Sequence, residues 1–372
     1  MDSNLSRVTI AGPKLSRQTK NLFYRTLIIL ALSILLTACE SMGFYRQAII
    51  GQGRLLLARE SVDQLLISPD TSPLLRQRLE LVQSILTFAR GAGLEVGNAY
   101  SSYVVTGQRF VIWNVFAAPQ LELRLRKSCF PVAGCVSYRG FFDEQDARSY
   151  AARLKQEGLD VYIGGVLAYS TLGWFDDPLL DTFIFMDEGK LAALLFHELA
   201  HRMVYVKGDT RFNESFATTL EQALLHDWLI LRGDSQRFEK YLSSERRSRS
   251  VLRLIGLTRK DLKDIYGSEK DDTSKLELKT LLISQLVEDY KEHVRQWTEG
   301  NEFSYWMRGE INNAKLETIA DYNQWVPAMQ TFLRSRGLKK FSLEMMRLAG
   351  LPFSDRQVIL ASMPISIAID NK

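Results

Sequence analysis

The chain has 372 residues, of which 46% are hydrophobic and 24% are charged, a balance that argues against a disordered, collagen-like or coiled-coil protein. Its formal net charge of +4 is too small to indicate a nucleic-acid-binding protein. The chain begins with a basic segment at residues 14–25, followed by an apolar run at residues 27–36. This run has the length of the hydrophobic part of a signal peptide and is short for a membrane span.

The apolar run ends in the segment L-T-A-C at residues 36–39. Small residues before a cysteine at this place resemble the cleavage site of bacterial lipoproteins, in which the cysteine becomes the lipid-bearing first residue. We therefore expect a signal peptide over residues 1–38 and lipidation of Cys39. The protein would then be anchored by lipid on the periplasmic side of the envelope, with the outer membrane slightly favoured. The alternative is an ordinary membrane anchor with an incidental cysteine.

Two further cysteines, Cys129 and Cys135, remain in the mature chain. Because an exported protein enters an oxidising compartment, we expect these two thiols to form a disulfide. Pro131 and Gly134 between them would let the chain turn back. The alternative is a pair of buried free thiols.

The predicted secondary structure begins with helices and continues with strands. Apolar residues recur with helical spacing over residues 44–92, interrupted by a turn at Pro69 and Pro73. Residues 103–138 are rich in β-branched and aromatic residues and include the alternating segment 121–126. We expect two or three strands in this region.

The rest of the chain is predicted to be mainly helical. The elements follow in order: a helix at residues 143–157, a strand at 161–171, helices at 191–205 and 213–232, and mostly helical structure from about 235 to 350. Since no linker divides the mature chain, we expect residues 39–372 to form a single domain. Its fold class would be mainly α with a small β-sheet (α+β).

The segment L-L-F-H-E-L-A-H at residues 194–201 contains the pattern H-E-x-x-H. A helix turns by about 100° per residue, so His197 and His201 lie one turn apart on one face, where both imidazoles can bind one cation. Glu198 lies beside the first histidine and can reach a metal-bound water rather than the metal. The pattern therefore predicts a Zn²⁺ site with Glu198 as general base. The alternative is two core histidines satisfied by other hydrogen bonds.

A catalytic zinc site needs a third protein ligand and leaves its fourth position to water. Downstream of the histidines comes N-E-S-F-A, and H-E-L-A-H followed by N-E-S-F-A resembles the gluzincin metallopeptidases. The resemblance implies that His197, His201 and Glu214 are the metal ligands and that Glu198 is the general base. Asn213 matches the Asn of the motif, where it would orient a neighbouring ligand or cap its helix.

The connection between His201 and Glu214 is shorter than in the familiar aminopeptidase and thermolysin-like patterns. Glu221 lies at the longer spacing and, seven residues after Glu214, on the same helix face. It therefore remains an alternative third ligand, although the neighbours of Glu214 match the motif better. The short connection predicts a tight loop between two antiparallel helices.

A wider resemblance covers most of the mature chain. Four segments resemble a bacterial family of predicted zinc aminopeptidases that are exported or lipid-anchored: residues 130–142, 168–180, 197–217 and 311–328. The resemblance implies a zinc-dependent peptidase, and specifically an aminopeptidase, that acts on peptide substrates. It also implies a zincin-like core at about residues 168–232, in which an antiparallel helix bearing Glu214 follows the H-E-x-x-H helix.

Two further roles have several candidates. Related enzymes stabilise the oxyanion with a Tyr or His on a later helix, so Tyr322 is the first candidate, and Tyr138 and Arg139 are alternatives. The free α-amine of an aminopeptidase substrate requires an acidic partner, for which there are three candidates: Asp176, Asp177 and Glu188. The sequence alone does not rank these three.

Two other functions remain open. The alternatives to a peptidase are an envelope scaffold, whose metal is structural or whose helix pair only mimics the motif, and a zinc hydrolase of a substrate other than peptide. Structural zinc sites are usually closed by four protein ligands, often cysteines. No fourth Cys or His lies within range of the motif, which favours an open, catalytic site. The sequence identifies no protein partner.

Overall fold

The computed structural model describes residues 43–130, 134–168, 176–297, 303–319 and 324–364. The chain divides into two units, Met1–Gly53 and Arg54–Lys372. Of the first unit only residues 43–53 are described, and they are helical. The predicted signal peptide and Cys39 lie outside the described residues. In the described ranges, no helix combines the length and the apolar character that crossing a membrane requires.

The described part of the chain is mainly α-helical with short strands, as the sequence predicts. The helices are α1 (residues 43–57), α2 (Val62–Ile67), α3 (Pro73–Gly91), α4 (Glu144–Gln156), α5 (Glu188–Met203), α6 (Thr210–Leu231), α7 (Ser235–Tyr266), α8 (Asp272–Val294), α9 (Asn313–Glu317), α10 (Val326–Arg336), α11 (Leu338–Ala349) and α12 (Phe353–Ser362). The strands are β1 (Glu60–Ser61), β2 (Ser102–Val104), β3 (Ile112–Pro119), β4 (Ser128–Phe130), β5 (Gly134–Val136), β6 (Arg139–Phe141), β7 (Leu159–Val166) and β8 (Leu179–Leu180).

The strands of the described residues form three small sheets. The first has the order β1-β2-β8, with β2 and β8 parallel, and the second has the antiparallel order β6-β3-β7. The third is the hairpin of β4 and β5, in which Cys129 lies opposite Cys135. These two cysteines form a disulfide, so the expected pairing is present in the structure.

Helix α5 lies in the main hydrophobic core and packs against α3, α6 and α7. Leu195, Phe196 and Leu199 are fully buried, because the helix has apolar residues around most of its circumference rather than on one stripe. A helix of this composition is stable only when neighbours cover it on several sides. It therefore gives the polar side chains that it carries a rigid support.

A buried polar network joins the β6-β3-β7 sheet to α8 and α9. The carboxylate of Asp160 accepts hydrogen bonds from Lys279 Nζ at 2.6 Å and from the backbone N–H of Asn313 at 2.8 Å. The Asn313 side-chain amide donates to the carbonyls of Pro119, Gln120 and Glu122. Because a buried charge is tolerated only when it is paired and hydrogen-bonded, this network fixes where α8 and α9 dock.

The same network includes the alternating segment at residues 121–126, which does not form a strand. Residues 121–126 alternate in burial, as their sequence suggests, but they are irregular rather than strand. The carbonyl of Glu122 accepts from Asn313 instead of from a neighbouring strand. The strands expected within residues 103–138 are present, but the alternating segment is not one of them. The helix predicted at residues 143–157 is confirmed as α4, capped at its N-terminus by Asp143.

Candidate metal centre

Helix α5 carries three of the predicted site residues, His197, Glu198 and His201. The helix begins after Asp187, whose carboxylate accepts from the backbone N–H groups of Gly189 and Lys190 at 2.9 and 3.3 Å. Such a cap satisfies two of the amides that a helix leaves free at its start. His197 and His201 both contact Glu214 of α6, and all three site residues lie beside the apolar residues that bury the helix.

Helix α6 carries Glu214 one turn after its start. The side chain of Asp209 caps the helix by accepting from Phe212 N–H at 3.1 Å. Asn213 makes two hydrogen bonds with the backbone of Val206: Oδ1 accepts at 2.8 Å and Nδ2 donates at 2.9 Å. Asn213 thus closes the loop between α5 and α6, and the capping role considered for it belongs to Asp209.

Asp209 is in turn held by the C-terminal helix α12. Arg356 Nε donates to Asp209 Oδ2 at 2.8 Å, and both side chains are only 3% exposed. Arg356 also donates to the carbonyl of Leu351 at 2.8 Å and packs over the ring of Phe212. An element more than a hundred residues away in the chain therefore supports the start of the helix that carries Glu214.

The structure brings His197, His201 and Glu214 together. The two Nε2 atoms are 3.2 Å apart, and Glu214 places Oε2 3.3 Å from Nε2 of His197 and Oε1 3.5 Å from Nε2 of His201. Ligand atoms of all three residues lie within 4.8 Å of one another. This group of two imidazoles and one carboxylate can hold a metal ion.

The spacing of these atoms fits a tetrahedral ion. Two nitrogens that each lie 2.0–2.1 Å from one tetrahedral ion are about 3.3 Å apart, close to the 3.2 Å between the two Nε2 atoms. A hydrogen bond between the two Nε2 atoms would require one imidazole to donate. The Glu214 carboxylate lies within 3.5 Å of both atoms and would compete for the same proton. A set of three converging lone-pair donors is better satisfied by a cation.

Glu221 lies on the other side of the His197 ring. Its Oε2 is 3.0 Å from His197 Nδ1, and its Oε1 accepts a hydrogen bond of 2.9 Å from the hydroxyl of Tyr241 on α7. Both carboxylate oxygens therefore have partners away from the two Nε2 atoms. The structure places Glu214, and not Glu221, among the three converging groups.

The two histidines have opposite electrostatic environments. Burial disfavours the charged form of His197, but hydrogen bonds to Glu214 and Glu221 outweigh it and raise its pKa to about 10. Burial lowers the pKa of His201 to about 4. The burial of Glu214 opposes its ionisation, yet the hydrogen bond to His197 and the charges of both histidines lower its pKa. The carboxylate that the motif assigns to the metal is thus kept ionised.

Glu198 lies in the same buried region, next to Asp177 and Tyr100. The pKa of Glu198 is raised to about 7, mainly by burial; the charge of His197 opposes this rise, and the charges of Glu214, Asp177 and Glu221 add to it. Burial also raises the pKa of the Tyr100 hydroxyl well above its usual value, and the charge of Glu198 adds to the effect. The Tyr100 phenol therefore stays protonated beside the Glu198 carboxyl.

Tyr100 has an uncommon backbone conformation. Its φ of 63° is the one positive φ of a non-glycine residue in the described ranges, and its N–H donates to the carbonyl of Asp177 at 2.8 Å. A bulky residue in this region costs about 1–3 kcal/mol, and such strain is concentrated at functional sites. Nothing in the sequence around Tyr100 indicates this conformation, which depends on the pairing with Asp177.

The three candidates for oxyanion stabilisation differ in where they lie relative to the ligand group. Tyr322 lies outside the described residues. Tyr138 is partly exposed, and its pKa is raised by burial and by the nearby Tyr205 and Glu214, so it lies at the edge of the ligand group. Arg139 packs over the ring of Tyr150 at 4.4 Å, which makes it a part of the β6–α4 packing.

Tyr205 was not among the candidates from sequence. Its ring centroid is 6.5 Å from that of His201 in an edge-on arrangement, and half of the residue is exposed. It lies four residues after His201 but beyond the end of α5 at Met203, so helical spacing does not identify it.

The three acidic candidates for the substrate amine also differ. Asp176 accepts a hydrogen bond from Arg59 with its backbone carbonyl at 2.6 Å. Glu188 lies in the first turn of α5, 3.6 Å from Arg232. Asp177 is buried beside Glu198. Of the three acidic candidates, it is the one that lies close to the candidate metal centre.

Comparison with known proteins gives one match. A family model described as "Putative aminopeptidase" matches residues 43–360. No curated protein and no solved structure matches the chain. Because the family match spans most of the chain and includes both helices of the ligand group, the protein belongs to this aminopeptidase family.

Proposed function

We propose that the protein is a zinc-dependent aminopeptidase with a zincin-like metallopeptidase core. The observation that carries the proposal is the convergence of His197 Nε2, His201 Nε2 and a Glu214 oxygen beside the buried carboxyl of Glu198. The family match supports a peptidase. Two histidines and one carboxylate are a ligand set of catalytic zinc sites, in which the fourth position remains open to water or substrate.

In this proposal His197, His201 and Glu214 hold the ion. When bound, zinc supplies two things: it lowers the pKa of a water molecule, and it polarises the scissile carbonyl. Glu198 accepts the proton of the attacking water and delivers it to the leaving amine, as a general base and then a general acid.

The residues around the centre suggest how a substrate is oriented. Asp177 is suited to bind the free α-ammonium group, since it is a buried acidic residue beside Glu198. Tyr138 and Tyr205 are exposed residues near Glu214 and His201, respectively, and are candidates to donate to a developing oxyanion. Tyr322 remains a further candidate for this role.

The cellular location is part of the proposal. The segment at residues 36–39 supports processing before Cys39, attachment of lipid to that residue and location on the periplasmic side of the envelope. The outer membrane is slightly favoured. The disulfide between Cys129 and Cys135 is compatible with an oxidising compartment.

The decisive experiment replaces Glu198 by Gln. We expect zinc content close to that of the wild type, because this side chain contacts water rather than the ion. Activity should fall by at least about a hundredfold, since a positioned base contributes about 10²–10⁴-fold in rate. Zinc is measured by elemental analysis, and activity with a mixed library of free and N-acetylated peptides read by mass spectrometry.

The matched control is Glu239→Gln, which changes an exposed glutamate on α7 and should retain full activity. Loss of single N-terminal residues, abolished by acetylation, supports an aminopeptidase, whereas internal cuts would make the protein an endopeptidase. A zinc-loaded wild type that is as inert as Glu198→Gln toward every peptide would overturn the peptidase proposal.

A further inference from the structure

Three helices meet in a short chain of hydrogen bonds behind the metal ligands. Tyr241 on α7 donates from its hydroxyl to Glu221 on α6 at 2.9 Å, and Glu221 lies 3.0 Å from Nδ1 of His197 on α5. Each oxygen of the Glu221 carboxylate takes one of these two contacts. The chain ends at a residue whose other ring nitrogen faces His201 and Glu214.

The contact with Glu221 determines which ring nitrogen of His197 carries the proton and which keeps its lone pair. An ionised carboxylate can only accept hydrogen bonds, so Nδ1 of His197 must be the donor. When a cation takes the lone pair of Nε2, the imidazole of His197 is neutral and carries its one N–H on Nδ1, where Glu221 accepts it. The same contact restricts rotation of the ring, and a fixed ring orientation is what a metal ligand needs.

Tyr241 gives the carboxylate its second anchor. The tyrosine is half-buried where α7 packs against α5 and α6, and its ring stacks on that of Phe238 with centroids 6.2 Å apart. Without the Tyr241 hydroxyl, one oxygen of a largely buried carboxylate would lose its partner. Glu221 would then be free to adopt other rotamers that no longer meet Nδ1.

We propose that Tyr241 is a positioning residue for the metal centre, acting through Glu221 on the orientation and tautomer of His197. The inference rests on the proposed function, because it concerns how tightly the ligand group holds zinc. It assigns a role to α7, a helix outside the segment that contains the ligands. It also assigns Glu221 to the support of a ligand rather than to the ligand group itself.

The two histidines differ in this support. Nδ1 of His201 is buried and has no hydrogen-bond partner among the described residues, whereas Nδ1 of His197 is fixed by Glu221. The orientation of His201 therefore comes from packing within α5. The chain from Tyr241 acts on one ligand only, so its loss should weaken zinc binding without abolishing it.

The test measures the dissociation constant for Zn²⁺ by competition with a fluorescent chelator. Glu221→Gln should raise this constant by roughly 10- to 100-fold, the usual effect of losing a partner of a metal-bound histidine. Tyr241→Phe, which keeps the ring, should raise it by about threefold to tenfold. In the Glu221→Gln background, Tyr241→Phe should have little further effect, because the tyrosine acts through the carboxylate.

Tyr266→Phe is the matched control. It removes a hydroxyl of the same helix that donates to Asn313 at 2.9 Å, far along the helix from the metal ligands. We expect it to lower the free energy of unfolding of the zinc-free protein by an amount similar to that of Tyr241→Phe, with no effect on zinc affinity. This separates a positioning role from a loss of stability.

Two results would overturn the inference while leaving the proposed function intact. One is the finding that the wild type binds zinc and that the Tyr241→Phe variant binds it equally tightly. The other is full additivity of Tyr241→Phe and Glu221→Gln, which would indicate two independent structural effects. A wild type that binds no zinc would overturn the proposed function as well.

Discussion

Burial determines the chemistry of several single residues in this protein. Glu198 and His201 lie in the same buried region, and burial shifts their pKa values in opposite directions, to about 7 and about 4. In each case burial favours the uncharged form, which is the acid for a carboxyl and the base for an imidazole. Burial therefore affects both Glu198, the proposed general base, and His201, a proposed metal ligand.

Lys315 provides a test of burial at a place far from the metal ligands. The residue is 1% exposed, its Nζ donates to the carbonyl of Arg308 at 2.7 Å, and burial lowers its pKa from 10.5 to about 8. Between these two values the unfolded chain binds the proton more tightly than the folded protein. The contribution of Lys315 to the free energy of unfolding should therefore increase as the pH rises from about 8 to 10.5.

Lys315→Met should remove this contribution. Urea unfolding of the wild type and the variant at about pH 7.5 and about pH 9.5 would measure the difference between them. We expect the difference to move in favour of the wild type at the higher pH, and identical differences at both values would contradict the assignment. Glu310, whose charge raises the pKa of Lys315, is unchanged in both proteins.

At the same scale, some roles could be predicted from sequence and others could not. His197, Glu198 and His201 were identifiable because four residues make one helical turn, so a local pattern defines their geometry. The contacts of Glu221 were not identifiable in this way, since one of them is made with Tyr241 of another helix. The strained Tyr100 likewise depends on a contact with Asp177, a residue distant in the chain.

The elements around the centre depend on distant partners for their exact positions. The start of α6 is capped by Asp209, and Arg356 of α12 neutralises the capping carboxylate in a buried ion pair of 2.8 Å. The sequence predicted both helices of the ligand group from their apolar periodicity. It did not predict this pair, because an Asp and an Arg separated by 147 residues carry no local signal.

Arg356→Met should strongly destabilise the protein. Removal of one partner from a buried ion pair leaves an uncompensated charge, at a cost of about 3–5 kcal/mol in the free energy of unfolding. Arg347→Met is the control, since its pair with Glu344 is exposed and should be worth less than about 1 kcal/mol. Chemical unfolding of both variants would measure the difference, and equal effects would argue against the role of Arg356.

The fold class of the whole molecule was predictable, but its small sheets were less so. Helical periodicity identified most helices, and the helical character of the described residues agrees with it. Strand limits were harder to predict. The segment at residues 121–126 has the alternation of a strand, but the side-chain amide of Asn313 donates a hydrogen bond to the carbonyl of Glu122 in this segment. Which backbone groups find strand partners depends on the docking of α9.

The location of the whole molecule can be tested through its N-terminal segment. Radiolabelled palmitate should be incorporated into the wild type and not into Cys39→Ser, because the Cys39 thiol is the proposed site of lipid attachment. Separation of inner and outer membranes would then identify the membrane that holds the protein. Equal labelling of both proteins would contradict lipidation at Cys39, and recovery of the wild type without label would do the same.

The proposed metal ligands His197, His201 and Glu214 fall within 18 consecutive residues, and this has a consequence for the unfolded chain. Closing so short a loop costs little conformational entropy, so two imidazoles and a carboxylate can still meet around zinc after the tertiary structure is lost. A ligand that also binds the unfolded state stabilises the native state by less than its native affinity implies. Added zinc should therefore raise the melting temperature by less than the dissociation constant of the folded protein would suggest.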